Sequence, residues 1–222
     1  MDFTAFAVSL KLAAATSLVL IPAAVVVARY LAFRVGRGKP LLEAAVALPL
    51  VLPPTVIGYY LLVAFGSASP LGELWNRMFG HGLAFTFEGL LVASLLINIP
   101  FAVQPMQRAF EALPADVREA AWVSGLTRWR AFWVIELPLA WPGVLSAFVL
   151  TFAHTMGEFG VVLMVGGAIP GETRTASLAI YDRVQAFDVT AAGVMSAVLL
   201  AVSVVAITIA YSATNRVGRR RG

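Results

Sequence analysis

Glu158 lies between two apolar runs, in the sequence GEFG, with Thr155, His154 and Thr151 three, four and seven residues before it. On a helix those offsets put all four side chains on one face. An ionisable group inside an apolar stretch is costly in lipid, and marks a functional position or a charge with a partner. The chemistry open to such a row is that of an ion path, a gate or a proton relay. The other possibility is a hydrogen-bonded carboxylate at a membrane boundary that only supports the fold.

Bond-making chemistry has little support. The chain has no cysteine, so thiolate metal sites, disulfides and Cys nucleophiles are excluded. Its two histidines, His81 and His154, are too far apart in sequence to suggest a metal-ligand pair. No GxxxxGK[ST] run is present, so ATP is not expected to bind through a P-loop, and no nucleophile motif surrounds any serine. No cofactor is expected on this chain.

The elements that carry Glu158 follow from composition. Of 222 residues, 60% are hydrophobic and 13% charged, whereas a soluble domain carries about a quarter charged residues. The expectation is an all-α integral membrane protein, one domain over 1–222. Spans need about 20 mostly apolar residues each, which places them at about 4–33, 44–65, 85–103, 137–165 and 189–211. The first apolar run ends in Arg29 with no small-residue cleavage site, so it is expected to remain as a span. The piece at 159–169 is too short to cross alone, and either continues the fourth span or re-enters. Pro49, Pro53 and Pro54 lie within the second span. They predict irregular backbone, tolerated at membrane depth only within protein or along an aqueous path. Pro53, Pro54, Thr55 and Gly58 are therefore expected to face the bundle interior. His81 falls in a polar loop, SASPLGELWNRMFGHG, and is expected to be solvated.

Twelve of the sixteen basic residues fall on one side of this five-span topology: Arg29 to Lys39, Arg108 to Arg130, and the tail Arg216 to Arg221. The positive-inside rule then puts the N-terminus outside and the C-terminus in the cytoplasm. The tail RVGRRRG reads as an anchor to anionic headgroups, not a nucleic-acid site.

The same rule puts the charged insert at about 107–136 in the cytoplasm. Asp116 and Glu119 suit a helix N-terminus after Pro114, and Ala120 and Ala121 offer a smooth face. Gly125 suits the end of that helix, and Thr127 can cap a second, TRWRAFWVIEL. The residues fit a helix–turn–helix docking element and an amphipathic loop lying on headgroups equally well.

The stretch EAAWVSGLTRWRAFWVIELP resembles the signature of importer-type ABC-transporter permease subunits, EAA-xxx-G-xxxxxxxxx-I-x-L-P. Glu119, Ala120, Ala121, Gly125, Ile135, Leu137 and Pro138 match with every spacing met. LPLVLPPTVIGYYLL, GEFG and IPGETRT are similar to the molybdate permeases of that family, with sulfate and tungstate permeases related. The resemblance implies a type I ABC importer transmembrane fold with the coupling helix between spans three and four. It also implies a homodimer in a bacterial or archaeal cytoplasmic membrane, two copies of a cytoplasmic ATPase that carries ATP and Mg, and an extracytoplasmic binding protein. Thr55, Ser146, Thr151 and Thr155 become candidate donors along an oxyanion path, though hydroxyls in spans also serve helix packing. Glu158 would repel a divalent oxyanion, by about 1 kcal/mol per unit charge at 4 Å in bulk water and more when dry. A gate role suits it better, by pairing with Arg174 or Arg183 or by bonding to backbone. A secondary transporter driven by an ion gradient, or a membrane scaffold, are the readings from other classes.

Overall fold

The computed structural model describes residues 1–34 and 36–219, with side chains through 208 and at 211 and 212. The described residues are helical, with no strand among them. In chain order the helices are α1 (Phe3–Phe33), α2 (Lys39–Val51), α3 (Pro54–Phe65), α4 (Pro70–Phe79), α5 (Phe87–Glu111), α6 (Ala115–Val123), α7 (Arg128–Ala131), α8 (Leu137–Gly157), α9 (Gly160–Gly166), α10 (Ala176–Gln185) and α11 (Val189–Arg219). A π-helical turn, Phe132–Glu136, joins α7 to α8. The residues of the basic tail, Arg216 to Arg221, lie outside those whose side chains are described.

Four helices are long and apolar enough to cross a membrane, and a fifth crossing arises if α2 and α3 count as one. That pair bends by 103° at a two-residue break, Leu52–Pro53. The cause is local: neither Pro53 nor Pro54 has an N–H to donate, and Pro54 begins the new helix, where none is needed. Pro49 sits inside α2 without ending it, and α5 runs through Pro100 and Pro105 to Glu111. The expected start of the insert at 107 is therefore still span.

The core is a three-helix contact. α1 packs most extensively on α5 and α8. Small residues line the seam: Ala24, Ala28, Ala102, Ala140 and Ala147 are at most 1% exposed, between Leu31, Met106 and Phe110. Without a hydrophobic drive between helices in lipid, close backbone approach supplies the attraction. A second cluster joins α3, α5 and α9 through Phe65, Ala93, Ile97, Val161 and Val165.

α9 continues span four. A Cβ on Gly143 would meet Ala109, His154 touches Asn98, and the Phe85 N–H donates to the Val165 carbonyl. These contacts step steadily down α5 and past its start as the chain steps up α8 and α9. The two elements thus run antiparallel along the whole of α5, and the re-entrant alternative is not seen. The loop expected around His81 contains a helix instead. α4 is capped by Ser69, whose Oγ accepts from the Gly72 N–H, and ended by Gly80, with His81 exposed after it. Its charged face (Glu73, Arg77) had hidden it from a search for apolar runs.

α5 and α8 approach closely at Gly143. A Cβ on Gly143 would lie 2.3 Å from the Ala109 Cβ and 2.9 Å from the Pro105 carbonyl oxygen. Gly143→Ala should therefore destabilise the bundle by about 1–3 kcal/mol, the usual cost of overpacking. Thermal unfolding in detergent measures it, and Ala109→Gly in the same chain should restore part of the loss.

Candidate functional site

Two regions carry the candidate side chains. The first is the insert. α6 begins after Pro114, whose backbone is extended, and ends in a Schellman motif. Gly125 takes φ +77°, its N–H donates to the Trp122 carbonyl, and the Leu126 N–H donates to the Ala121 carbonyl. Thr127 then caps α7, its Oγ1 accepting from the Arg130 N–H at 3.3 Å. The helix–Gly–helix shape is as the sequence suggests. The alanines, however, do not form one smooth face: Ala121 is buried, while Ala120 is exposed beside Glu119. Val123 is 90% exposed, so the outward face of α6 carries Glu119, Ala120 and Val123.

The end of the insert feeds straight into α8. The Leu137 N–H donates five residues back, to the Phe132 carbonyl, which makes the turn π-helical. Pro138 has no N–H to close the next α-helical bond, so the wider turn falls where the sequence changes from insert to span. Ile135 and Leu137 are half-buried there and Pro138 is exposed.

The same turn buries Glu136, which is 1% exposed. Arg29 of α1 grips it with two hydrogen bonds, Nε to Oε2 at 2.5 Å and Nη2 to Oε1 at 3.2 Å. Arg118 of α6 approaches from the other side, Nε 3.6 Å from Oε1, with its guanidinium 3.6 Å above the Phe33 ring. An unpaired carboxylate there would cost several kcal/mol; shared between two arginines, it ties α1, α6 and α8 together. Glu136 is the functional candidate missing from the sequence reading. The available signal was a charged residue between Ile135 and Leu137, at a variable position of the signature.

The second region surrounds Glu158. α8 ends at Gly157 and α9 begins at Gly160, with Glu158 in extended backbone between them. Its Oε1 accepts from the Val161 N–H at 3.0 Å, capping α9, and its Oε2 lies 3.7 Å from His154 Nε2. The expected arginine partners are engaged elsewhere: Arg174 with Asp182 and Asp2, Arg183 with Asp188. The alternative, backbone hydrogen bonding, is what the structure shows. His154 continues the polar row into the bundle. Its Nδ1 is 3.1 Å from Asn98 Oδ1, the Asn98 amide donates to Ser94, and Thr16 donates to Ser94 Oγ at 2.9 Å. Phe101 stacks on the imidazole at 4.1 Å between centroids.

The span-two break meets this row. A cavity of about 240 Å³ is lined by Pro49, Pro54, Ile57, Phe101, His154 and Glu158, among others. Gly58 is buried, and a Cβ on it would lie 2.7 Å from the Met164 Cβ of α9. Pro53, Pro54 and Thr55 depart from expectation, because all three are exposed on the single chain, although Pro54 also packs against Gly160 at the cavity. The hydroxyls are not gathered either. Ser146 and Thr155 donate back along their own helix, to the Pro142 and Thr151 carbonyls. Thr151 is fully buried, and its hydroxyl has no hydrogen-bond partner. Thr55 stands apart on the surface.

A model of binding-protein-dependent transport system inner membrane components matches residues 20–222. The chain is 47% identical to a molybdenum transport system permease protein, ModB, of Azotobacter vinelandii over 188 residues, covering 84% of this chain and 83% of that one. It is 38% identical to the ModB of Escherichia coli K12 over 184 residues, covering 83% and 80%. The sulfate transport system permease protein CysT of the same strain is 36% identical over 183 residues, which is 82% of this chain and 66% of the relative. Among solved structures, a bacterial ABC transporter involved in alginate import superposes with a TM-score of 0.74 at 20% identity, covering 96% of this chain and 79% of that chain. With all-helical spans, a capped insert between two of them and these matches, the chain belongs to the binding-protein-dependent transport system inner membrane components, multi-pass permease subunits of ABC importers.

Proposed function

We propose that the chain is the membrane-spanning subunit of an ATP-driven importer of molybdate, working as a homodimer with two copies of a cytoplasmic ATPase and an extracytoplasmic binding protein. The observation that carries the substrate is the set of relatives. Permeases named for molybdenum match at 37–47% identity over 79–83% of their own length, against 32–36% over 58–66% for permeases named for sulfate. The N-terminus lies outside and the insert lies in the cytoplasm, by the distribution of Lys and Arg. ATP and Mg are held by the ATPase, and the reaction takes place there.

The outward face of α6 docks in the ATPase. Glu119 and Ala120 contact it, and Gly125 fixes the angle at which the helix is presented. Motion of α6 reaches the spans along two routes. One is covalent, through Ile135, Leu137 and Pro138 into α8. The other is the ion-pair node, since Arg118 on α6 and Arg29 on α1 share Glu136. At the far end of α8 the chain breaks at Glu158, beside the break in span two. Backbone as irregular as Leu52–Thr55 is not left facing lipid, so its exposure on one chain supports a second copy, or the water-filled path between two copies, as its neighbour. Thr55 and the cavity at Pro54 and Glu158 then lie beside that path. Glu158 holds the gate by capping α9, and the anion is not its ligand.

The deciding experiment is to purify the permease with its ATPase and measure ATP hydrolysis stimulated by binding protein loaded with molybdate, tungstate or sulfate. Molybdate should stimulate most; stimulation by sulfate alone would overturn the substrate assignment. Gly125→Pro removes the N–H bonded to Trp122 and forbids φ +77°. It and Glu119→Lys should leave the assembled complex intact while lowering stimulated hydrolysis at least tenfold. The node is tested by a double-mutant cycle. Arg29→Met leaves a buried carboxylate with one partner, at a cost approaching the roughly 3–5 kcal/mol of a broken buried pair but lessened by the partial exposure of Arg29. Arg29→Met with Glu136→Met should recover thermal stability but not coupled hydrolysis.

A further inference from the structure

On the outer side of the Arg29–Glu136 node lies a cavity of about 440 Å³ lined by Arg29, Arg34, Arg118 and Arg128, with Phe33 and Trp122. Glu136 partly offsets Arg29 and Arg118. Arg34 and Arg128 have no carboxylate partner among the described residues, so the cavity keeps a net positive charge. Next to it, sharing Arg29 and Tyr30, runs an apolar groove of about 480 Å³ between α1 and the π-helical turn. Pro22, Val25, Val26, Trp129, Trp133 and Leu137 form its walls. Val26, Trp129 and Trp133 are 66%, 70% and 51% exposed, so no described residue fills the groove.

The order of these two spaces along α1 identifies the occupant. Residues 12–28 are free of charge, so Val25 and Val26 lie at acyl-chain depth and Arg29 at the edge of the hydrocarbon. From Val25 to Arg34 the helix rises about 13 Å, which passes from chain depth to headgroup depth. Tyr30, Trp129 and Trp133 sit at that boundary, where amphipathic rings collect. We infer that the cationic cavity and the apolar groove together form a binding site for one anionic phospholipid. Its phosphate lies among Arg29, Arg34 and Arg128, and an acyl chain lies along Val26 and Trp133. A soluble anion would leave the groove bare, and a zwitterionic lipid would leave the excess positive charge uncompensated. Charge counting puts this end of α1 in the cytoplasm, whose leaflet is the anionic one. A lipid seated there touches α1, α7 and, through Arg118 and Trp122, the docking helix α6. It therefore bears on the posture of the insert.

The test is native mass spectrometry of the permease, alone and with its ATPase, from mixed micelles containing dioleoyl phosphatidylglycerol or dioleoyl phosphatidylcholine. Phosphatidylglycerol should be retained as about one adduct per permease chain, and phosphatidylcholine should not. Each arginine contributes about fivefold to attraction for an anionic surface, so Arg34→Gln with Arg128→Gln should weaken retention about 25-fold. Arg37→Gln with Arg130→Gln, the same loss of charge outside the cavity, should change it less than threefold. Val26→Trp should block the groove and reduce retention with every arginine intact. Four results would each overturn the proposal: equal retention of the two lipids, equal effects of the two arginine pairs, no effect of Val26→Trp (the sign of a headgroup or free-anion site only), or loss of the lipid when the ATPase assembles. The last would make the arginines an ATPase contact.

Discussion

A carboxylate removed from water needs cations close by, and in this chain that requirement fixes how three elements meet. Glu136 lies where the insert becomes a span. Its neutralisation takes Arg29 from the first helix and Arg118 from α6 of the insert, and both guanidiniums lie against the Phe33 ring. Hydrophobic packing alone would let α6 swing on its two turns, since most of its surface is exposed. The Arg29 pair is hydrogen-bonded and directional, Arg118 adds a charge contact at 3.6 Å, and neither can be lost without leaving buried charge less well compensated. The insert is thereby made part of the bundle while its outer face stays free.

Between the helices, the same economy of polar groups holds. The alanine-lined seams are crossed by a row of polar side chains, Thr16, Ser94, Asn98, His154 and Glu158, each passing a hydrogen bond or close polar contact to the next. The row ends where two helices break side by side. Near the Gly160 position a Cβ would meet Pro54, so the α8–α9 break and the α2–α3 break are in contact. Irregular backbone has been concentrated at one place and supplied with its own hydrogen bonds there.

Much of this was legible in the sequence, because its causes are local. Charge-free runs gave the spans, prolines gave the break in span two, and Thr127 and Gly125 gave the shape of the insert. What escaped had non-local causes. Glu136 reads as a boundary residue until Arg29, 107 positions away, is found on it. Glu158 invited an arginine partner by charge, yet the N–H of Val161 is nearer and caps a helix too short to be seen as one. Pro53, Pro54 and Thr55 were placed inside by a sound rule about backbone in lipid. The rule does not say whether the covering protein is the same chain. α4 was hidden because its charged face broke the apolar pattern.

The glycine crossing between α5 and α8 has a mechanical consequence. Gly143 sits one-third of the way along α8, where the α5 backbone leaves no room for a Cβ and sliding is restricted. From there to Leu137 is about 9 Å of helix, and to Gly157 about 21 Å. Span four is then a lever with an off-centre fulcrum. Tilting about that point would move the Glu158 end more than twice as far as the end attached to the insert.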